Sequence, residues 1–204
     1  MTLEISLAGY RLTVENGYWR IRPPLINPVE ALLQEIEKAL DAQLYYLGLL
    51  LTLTLPSICA ALEAPGGRPQ GRDRDVYKTW YQANIFDLIG GLSADEAWEL
   101  RCTVVHQSHA LASKKRGYDR IIFTMRSGPL TVDSMILEGM RERDETARAL
   151  TFDVAAFCER WIGQARLWIE RSKSNHAVQS NLPNLLQVRP DGLSPFIVGI
   201  PIIA

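Results

Sequence analysis

Cysteine and histidine are both scarce in this 204-residue chain, and each scarcity removes a class of site. The three cysteines, Cys59, Cys102 and Cys158, lie far apart, are odd in number and form no C-x-x-C pair. This pattern argues against a disulfide framework and a zinc knuckle, and it suits a reducing compartment. We therefore expect a cytoplasmic protein that needs no metal and no cofactor.

The chain also lacks a strong charge of either sign. Its 22 Lys and Arg residues stand against 23 Asp and Glu residues, which gives a formal net charge of −1. Without a global basic field, an RNA partner would need a local basic patch. Two such clusters occur, one in the predicted loop of residues 64–75 and one after the predicted helix of residues 93–113. Together they comprise Arg68, Arg72, Arg74, Lys114, Lys115 and Arg116. We predict that these residues contact RNA phosphates, with solvated loop charge as the alternative.

Charge is absent altogether from residues 42–62, a stretch long enough to span a bilayer. Polar residues are nevertheless spread through it, among them Thr52, Thr54 and Ser57, and both of its flanks are acidic. The N-terminus has no basic region followed by an apolar run, so we expect no signal peptide. We interpret the stretch as a buried central helix and expect no membrane association.

What is present is a succession of helical patterns between extended segments. Residues 1–24 alternate apolar and polar side chains around Asn16-Gly17, which predicts a β-hairpin. Residues 25–175 are predicted to form a helical domain with a short β insertion at 120–137, and residues 176–204 an extended tail. We expect 120–125 to pair with 130–137, and the three extended parts to share a small antiparallel sheet. The predicted fold is therefore mainly α, with β segments at its periphery.

Capping signals mark where several of these helices begin. Asn27 precedes Pro28, and Glu30 follows at the spacing of a capping box. The apolar stripe of this first helix continues to residue 55, where Pro56 should bend or break it. Ser93 and Glu96 form a second predicted capping box. The last regular helix is predicted to run from about residue 153 to residue 172.

Residues 100–111, LRCTVVHQSHAL, hold two of the three histidines and an arginine on the helix that Ser93 opens. His106 and His109 are suitably spaced for a shared metal ion, but no third ligand lies nearby. A second interpretation is an ordinary surface histidine, with Arg101 paired to Asp95 or Glu99.

A third interpretation comes from a resemblance that begins at this helix. LSADEAWELRCTVVHQ resembles the helix of HEPN-domain proteins that carries their R-x4–6-H motif, here Arg101 and His106. EIEKALDAQLYYLGLLLTLTLPSICAALE, VYKTWYQANI and FDVAAFCERWI look like other helices of a bacterial branch of small HEPN-like proteins. The resemblance covers roughly residues 28–170.

The resemblance implies a four-helix bundle that dimerises so that two motifs face one cleft. It implies a metal-independent endoribonuclease of the toxin or defence type, with an antitoxin protein as a possible partner. His106 would then handle the proton of the ribose 2′-hydroxyl or of the leaving oxygen, since imidazoles ordinarily titrate near neutral pH. Arg101 would hold the scissile phosphate, and His109 would be auxiliary.

The sequence departs from the family directly after the arginine. Active HEPN ribonucleases usually carry a polar residue at this position, whereas this chain has Cys102, whose thiol is a weak hydrogen-bonding group. The alternative is therefore a HEPN-like module that binds nucleotide, RNA or protein without catalysis. Arg101 and His106 also lie about 140° apart around an ideal helix. That separation predicts a dimer cleft, aided by the reach of the arginine, to bring the two side chains together.

Overall fold

The protein is described by a computed structural model over residues 4–7, 10–15, 18–22, 26–86, 90–107, 117–125, 132–140 and 146–204. This part of the chain is mainly helical with several short strands, which confirms the predicted fold class at that level.

Six α-helices lie in the described part. They are α1 (Pro28–Asp41), α2 (Tyr45–Glu63), α3 (Asp73–Asn84), α4 (Ala94–Gln107), α5 (Val154–Arg171) and α6 (His176–Asn181). The central element is α2, because it contacts α1, α3, α4, α5 and α6. The core between these helices is aromatic: Trp161 is fully buried, and its ring lies 5.4 Å from the rings of Tyr81 and Phe157.

The first predicted helix is two helices, and it is interrupted after Asp41 rather than broken at Pro56. The chain turns at Gln43, which has a left-handed φ of 59°. The Leu44 N–H donates to the Ala39 carbonyl at 2.7 Å, and the Gln43 N–H donates to the Leu40 carbonyl at 2.9 Å. These two bonds form a Schellman ending, usually made with glycine. Helix α2 continues through the buried Pro56. Packing on several sides outweighs the roughly 3 kcal/mol that an internal proline costs.

The predicted helix starts are largely confirmed. The Asn27 side chain accepts from the Val29 N–H at 2.9 Å, although the Glu30 carboxylate accepts from Arg166 rather than completing a capping box. The box of Ser93 and Glu96 is present in both directions, at 2.7 Å and 3.3 Å. The start of α3 at Asp73 shortens the predicted loop of residues 64–75.

Within the described ranges, ten strands form four separate small sheets. The strands are β1 (Glu4–Leu7), β2 (Tyr10–Glu15), β3 (Tyr18–Arg22), β4 (Arg120–Thr124), β5 (Met135–Met140), β6 (Thr146–Asp153), β7 (Val188–Arg189), β8 (Gly192–Leu193), β9 (Ile197–Val198) and β10 (Ile202–Ile203). The predicted hairpin is confirmed as the β2–β3 pair, to which β1 adds a third strand. The tail of residues 176–204, predicted as extended, begins instead with helix α6, and from Val188 on it forms the pairs β7–β10 and β8–β9. Among the described strands, the prediction of one shared sheet is therefore wrong.

The middle sheet has the order β4-β6-β5, so the predicted pairing of β4 with β5 is also wrong. Strand β4 runs parallel to β6, and β5 runs antiparallel to β6. The reason is burial: the last five residues of β6 are buried, which suits it to the centre of the sheet. The start of β6 overlaps the charged stretch RERDETAR at residues 141–148, so the sequence pattern there did not indicate a strand.

Helix α2 is the one helix in the described ranges that is long and apolar enough to cross a membrane. Half of its most hydrophobic window is buried inside the protein. A core helix of a soluble protein has these same properties, and the contacts of α2 on several sides match the predicted central helix.

Candidate functional site

The candidate site is built on α4, which one apolar face and one cap hold in place. Ala94, Ala97, Leu100 and Val104 are buried in the core. At its start, the Glu96 carboxylate of the capping box also accepts a hydrogen bond from the Tyr118 hydroxyl at 2.5 Å. These contacts hold the backbone of α4 in place and thereby position the residues on its other side.

Arg101 and His106 meet on that other side within a single chain. Arg101 Nη1 lies 3.2 Å from His106 Nε2, and the histidine is exposed. The prediction that a dimer cleft is needed to bring them together is therefore wrong. The reach of the arginine within one chain closes the separation around the helix.

An aromatic pair lies beneath the arginine. Arg101 Cζ is 5.2 Å from the centroid of the Trp98 ring, a cation–π distance. The Trp98 ring meets Tyr77 of α3 edge to face at 5.3 Å between centroids. Tyr77 is fully buried, and burial raises its pKa well above the ordinary value. The site therefore extends from α4 into the core through Trp98 and Tyr77.

Of the two carboxylates predicted as alternative partners of Arg101, Asp95 is bound elsewhere, and pairing with Glu99 stays a prediction. The Asp95 carboxylate is bound by Arg74 and, at 3.0 Å, by Lys78. Hydrogen bonds from Arg74 and Lys78 lower the pKa of Asp95, and the same contact raises the pKa of Arg74. Arg101 keeps its Nε buried without a hydrogen-bond partner among the described residues.

The predicted phosphate-contacting residues fall into three groups. Arg68 and Arg72 are exposed before α3. Arg74 lies on α3 and is tied to Asp95, which partly compensates its charge. Lys114, Lys115 and Arg116 lie outside the described residues, as does the predicted auxiliary residue His109.

The three cysteines divide by burial. Cys59 and Cys158 are fully buried in the core, and burial raises the pKa of both thiols, that of Cys158 to about 11. Cys102 is only partly buried on α4, directly after Arg101. It is therefore the one thiol beside the candidate site.

Trp98 and Tyr77 were missed by the sequence analysis. The available signal was spacing: Trp98 precedes Arg101 by three residues, which places the two on one side of a helix. Tyr77 comes from another helix, so its place beside Trp98 depends on how α3 packs against α4.

A separate cavity of about 660 Å³ lies between α2, α3 and the end of α5. Trp80, Trp168 and Glu63 are among its lining residues, and none of the predicted site residues belongs to it. No group of three or more His, Cys, Asp or Glu side chains within the described ranges is suited to holding a metal ion.

Comparison with known proteins places the chain in no family. No protein-family model, no curated protein and no solved structure matches it.

Proposed function

We propose that the chain is a HEPN-type endoribonuclease, of the toxin or defence type, in which Arg101 and His106 act on an RNA phosphodiester. The observation that carries the proposal is the 3.2 Å contact between Arg101 Nη1 and His106 Nε2 on the exposed side of α4. A guanidinium binds phosphate and an imidazole transfers protons, and both are needed at the same bond of an RNA backbone.

In the proposed reaction His106 takes the proton from the ribose 2′-hydroxyl. The 2′-oxygen then attacks the adjacent phosphorus, and the bond from phosphorus to the 5′-oxygen of the next nucleotide breaks. The products are a 2′,3′-cyclic phosphate and a 5′-hydroxyl, whose proton comes from solvent. No electron is gained or lost, and the step uses only groups of the protein, the RNA and water.

Arg101 stabilises the negative charge that grows on the phosphate oxygens during this step. The guanidinium presents several N–H donors in one plane, and its buried Nε has no partner among the described residues. A positive group held against the phosphate oxygens stabilises this charge more strongly as it grows toward the transition state.

The proposal includes a homodimer in which α4 lies at or near the interface and the helical domain is a HEPN-like four-helix bundle. Two-fold pairing is the commonest form of association. A second subunit would add a second Arg101–His106 pair to the cleft, although each pair already forms within its own chain. Light scattering at high micromolar concentration should give twice the monomer mass, and a monomer would contradict this part.

The second candidate is a binding module of the same fold without catalysis, and Cys102 is the observation in its favour. Its partly buried thiol stands next to Arg101, where a stronger hydrogen-bonding group would orient the phosphate or the imidazole. Such a module would bind nucleotide, RNA or a protein through the same surface of α4.

One experiment separates the two candidates. Purified protein is incubated with total RNA and excess EDTA at several values between about pH 6 and pH 8, around the ordinary titration range of an imidazole. The proposal expects cleavage and fragments that end in 2′,3′-cyclic phosphate. Folded, dimeric protein that leaves RNA intact throughout this range would contradict catalysis and favour the binding module.

Binding of an uncleavable RNA, with 2′-O-methyl groups, tests the basic clusters separately. If Arg68, Arg72 and the cluster at 114–116 contact phosphates, RNA affinity should fall steeply with salt, because each contact releases bound counterions. An affinity that does not change between low and moderate salt would remove these residues from the site.

A further inference from the structure

We propose that Trp98 is a positioning residue, which holds Arg101 against His106 and thereby fixes the proton of the neutral imidazole on Nδ1. The consequence for catalysis rests on the proposed function, whereas the proton position can be measured without any RNA. The inference starts from three contacts in series: Tyr77 with Trp98, Trp98 with Arg101, and Arg101 with His106.

The tautomer follows from the inventory of donors. A guanidinium carries N–H donors and no acceptor, so in the contact between Arg101 Nη1 and His106 Nε2 the nitrogen of histidine must accept. A neutral imidazole accepts at one nitrogen and carries its proton on the other. The contact therefore assigns the proton of His106 to Nδ1.

Arg101 needs a restraint to make this contact. Its long side chain has many rotamers, and His106 lies well around the helix from it. The Trp98 ring supplies the restraint, because its centroid is 5.2 Å from Arg101 Cζ. The ring is itself fixed, since it packs against the core and meets the fully buried Tyr77 edge to face.

The consequence is a base that becomes available when its substrate arrives. In the free protein the Nε2 lone pair of His106 is occupied by the N–H of Arg101. A phosphate competes for that guanidinium through stronger, charge-assisted hydrogen bonds. Once Arg101 turns to the phosphate, Nε2 is free to accept a proton. The site is thereby specific for a ligand that carries a phosphate next to a hydroxyl group.

The test is a long-range ¹H–¹⁵N spectrum of protein labelled at histidine, recorded at about pH 8, where imidazoles are ordinarily neutral. The chain has three histidines, so His109→Gln and His176→Gln assign the spectrum. Wild-type protein should show His106 protonated on Nδ1. Saturating inorganic phosphate should shift the His106 signals away from that pattern.

Three variants test the role of Trp98. Trp98→Phe keeps an aromatic face and should retain the Nδ1–H pattern. Trp98→Leu keeps an apolar side chain without that face and should lose the pattern, as should Arg101→Ala, which removes the donor. Arg101 is only half-buried, so Arg101→Ala remains a readout if Trp98→Leu does not fold. Circular dichroism identifies the folded variants.

Two results would overturn the inference: His106 protonated on Nε2 in the free wild type, or the Nδ1–H pattern unchanged in folded Trp98→Leu. These results are distinct from failure of the proposed function. Protein that shows the expected spectra but leaves RNA intact contradicts the ribonuclease and retains the positioning role. Protein that cleaves RNA with His106 protonated on Nε2 supports the ribonuclease and contradicts the positioning role of Trp98.

Discussion

Two regions of the molecule use arginine in opposite ways. On α5, Arg166 donates to the carboxylates of Glu30 and Glu37 on α1, at 2.8 Å each. Arg160, on the same helix, forms a bidentate ion pair with Asp133, with hydrogen bonds of 2.7 and 3.0 Å. On α4, Arg101 contacts the face of Trp98 and the Nε2 atom of His106 instead.

The difference separates structural arginines from a candidate functional one. The carboxylates around Arg166 and Arg160 neutralise the guanidinium and join elements distant in the chain, which fixes the fold. The imidazole of His106 and the indole of Trp98 contact the Arg101 guanidinium without adding a negative charge beside it. Arg101 can therefore still attract an anion. A carboxylate partner would compete with that anion for the guanidinium.

The largest expected effect is that of His106→Ala on RNA cleavage. Removing a proton-transferring group should lower the cleavage rate by about 10²- to 10⁴-fold. The melting temperature should hardly change, because the His106 side chain is exposed. The matched control is His176→Ala, an exposed histidine at the start of α6, which should leave the rate unchanged. Equal rates for the two variants would remove His106 from the reaction.

Next in size is Arg101→Lys, which we expect to lower the cleavage rate by about 10²-fold or more. Lysine keeps the charge but lacks the planar fork, so it cannot donate two parallel hydrogen bonds to phosphate. Arg120→Lys, in an exposed position on β4 and outside the proposed site, is the control and should have little effect. Full activity in Arg101→Lys would mean that charge alone is required.

Removing the carboxylate partner of a structural arginine should lower the stability of the fold. Asp133→Ala should lower the free energy of unfolding by about 2 kcal/mol, because Arg160 would be left partly buried without its partner. Both side chains are about three-quarters buried, at 22% and 27% exposure. Urea denaturation measures the change, and Glu35→Ala, in an exposed pair with Lys38, is the control. A loss no larger than that of the control would contradict a stabilising role for the Arg160–Asp133 ion pair.

The Arg160–Asp133 ion pair also predicts that stability depends on pH. Burial alone would raise the pKa of Asp133, but hydrogen bonds from Arg160 and from the Asp153 N–H outweigh burial and lower it. Because the pKa is lowered in the folded state, the ionised carboxylate stabilises the protein at pH values above the ordinary aspartate pKa of about 4. This stabilisation is lost as pH falls through the pKa of the folded state. The stability difference between wild type and Asp133→Ala should therefore shrink in acid. A constant difference down to about pH 2 would contradict the assignment.

The smallest expected effect is that of Cys102→Asn, which should hold the cleavage rate or raise it a few-fold, since an amide orients neighbours better than a thiol. A thiol reagent at neutral pH should first locate the residue: Cys59 and Cys158 are fully buried with raised pKa values, so Cys102 should react alone. Fast labelling of the Cys102→Asn variant would contradict this division.

Local patterns predicted much of the fold. The caps at Asn27 and Ser93 and the helix from about residue 153 follow from side chains that bond their own backbone neighbours. Longer-range choices escaped prediction. The turn at Gln43 uses no glycine, Pro56 is accommodated because neighbouring helices surround it, and β6 takes the centre of its sheet despite a charged start.

The candidate site divides along the same line. The sequence by itself determined that Arg101, His106 and Trp98 lie on one helix, because their spacing and the capping box before them are local. Tertiary structure decided that Tyr77 of α3 packs against Trp98 and that Arg74 and Lys78 of α3 occupy Asp95. It also set the direction of the Arg101 side chain. A flexible arginine has many rotamers of similar energy along a helix, and only the packing of a second helix against the first selects one of them.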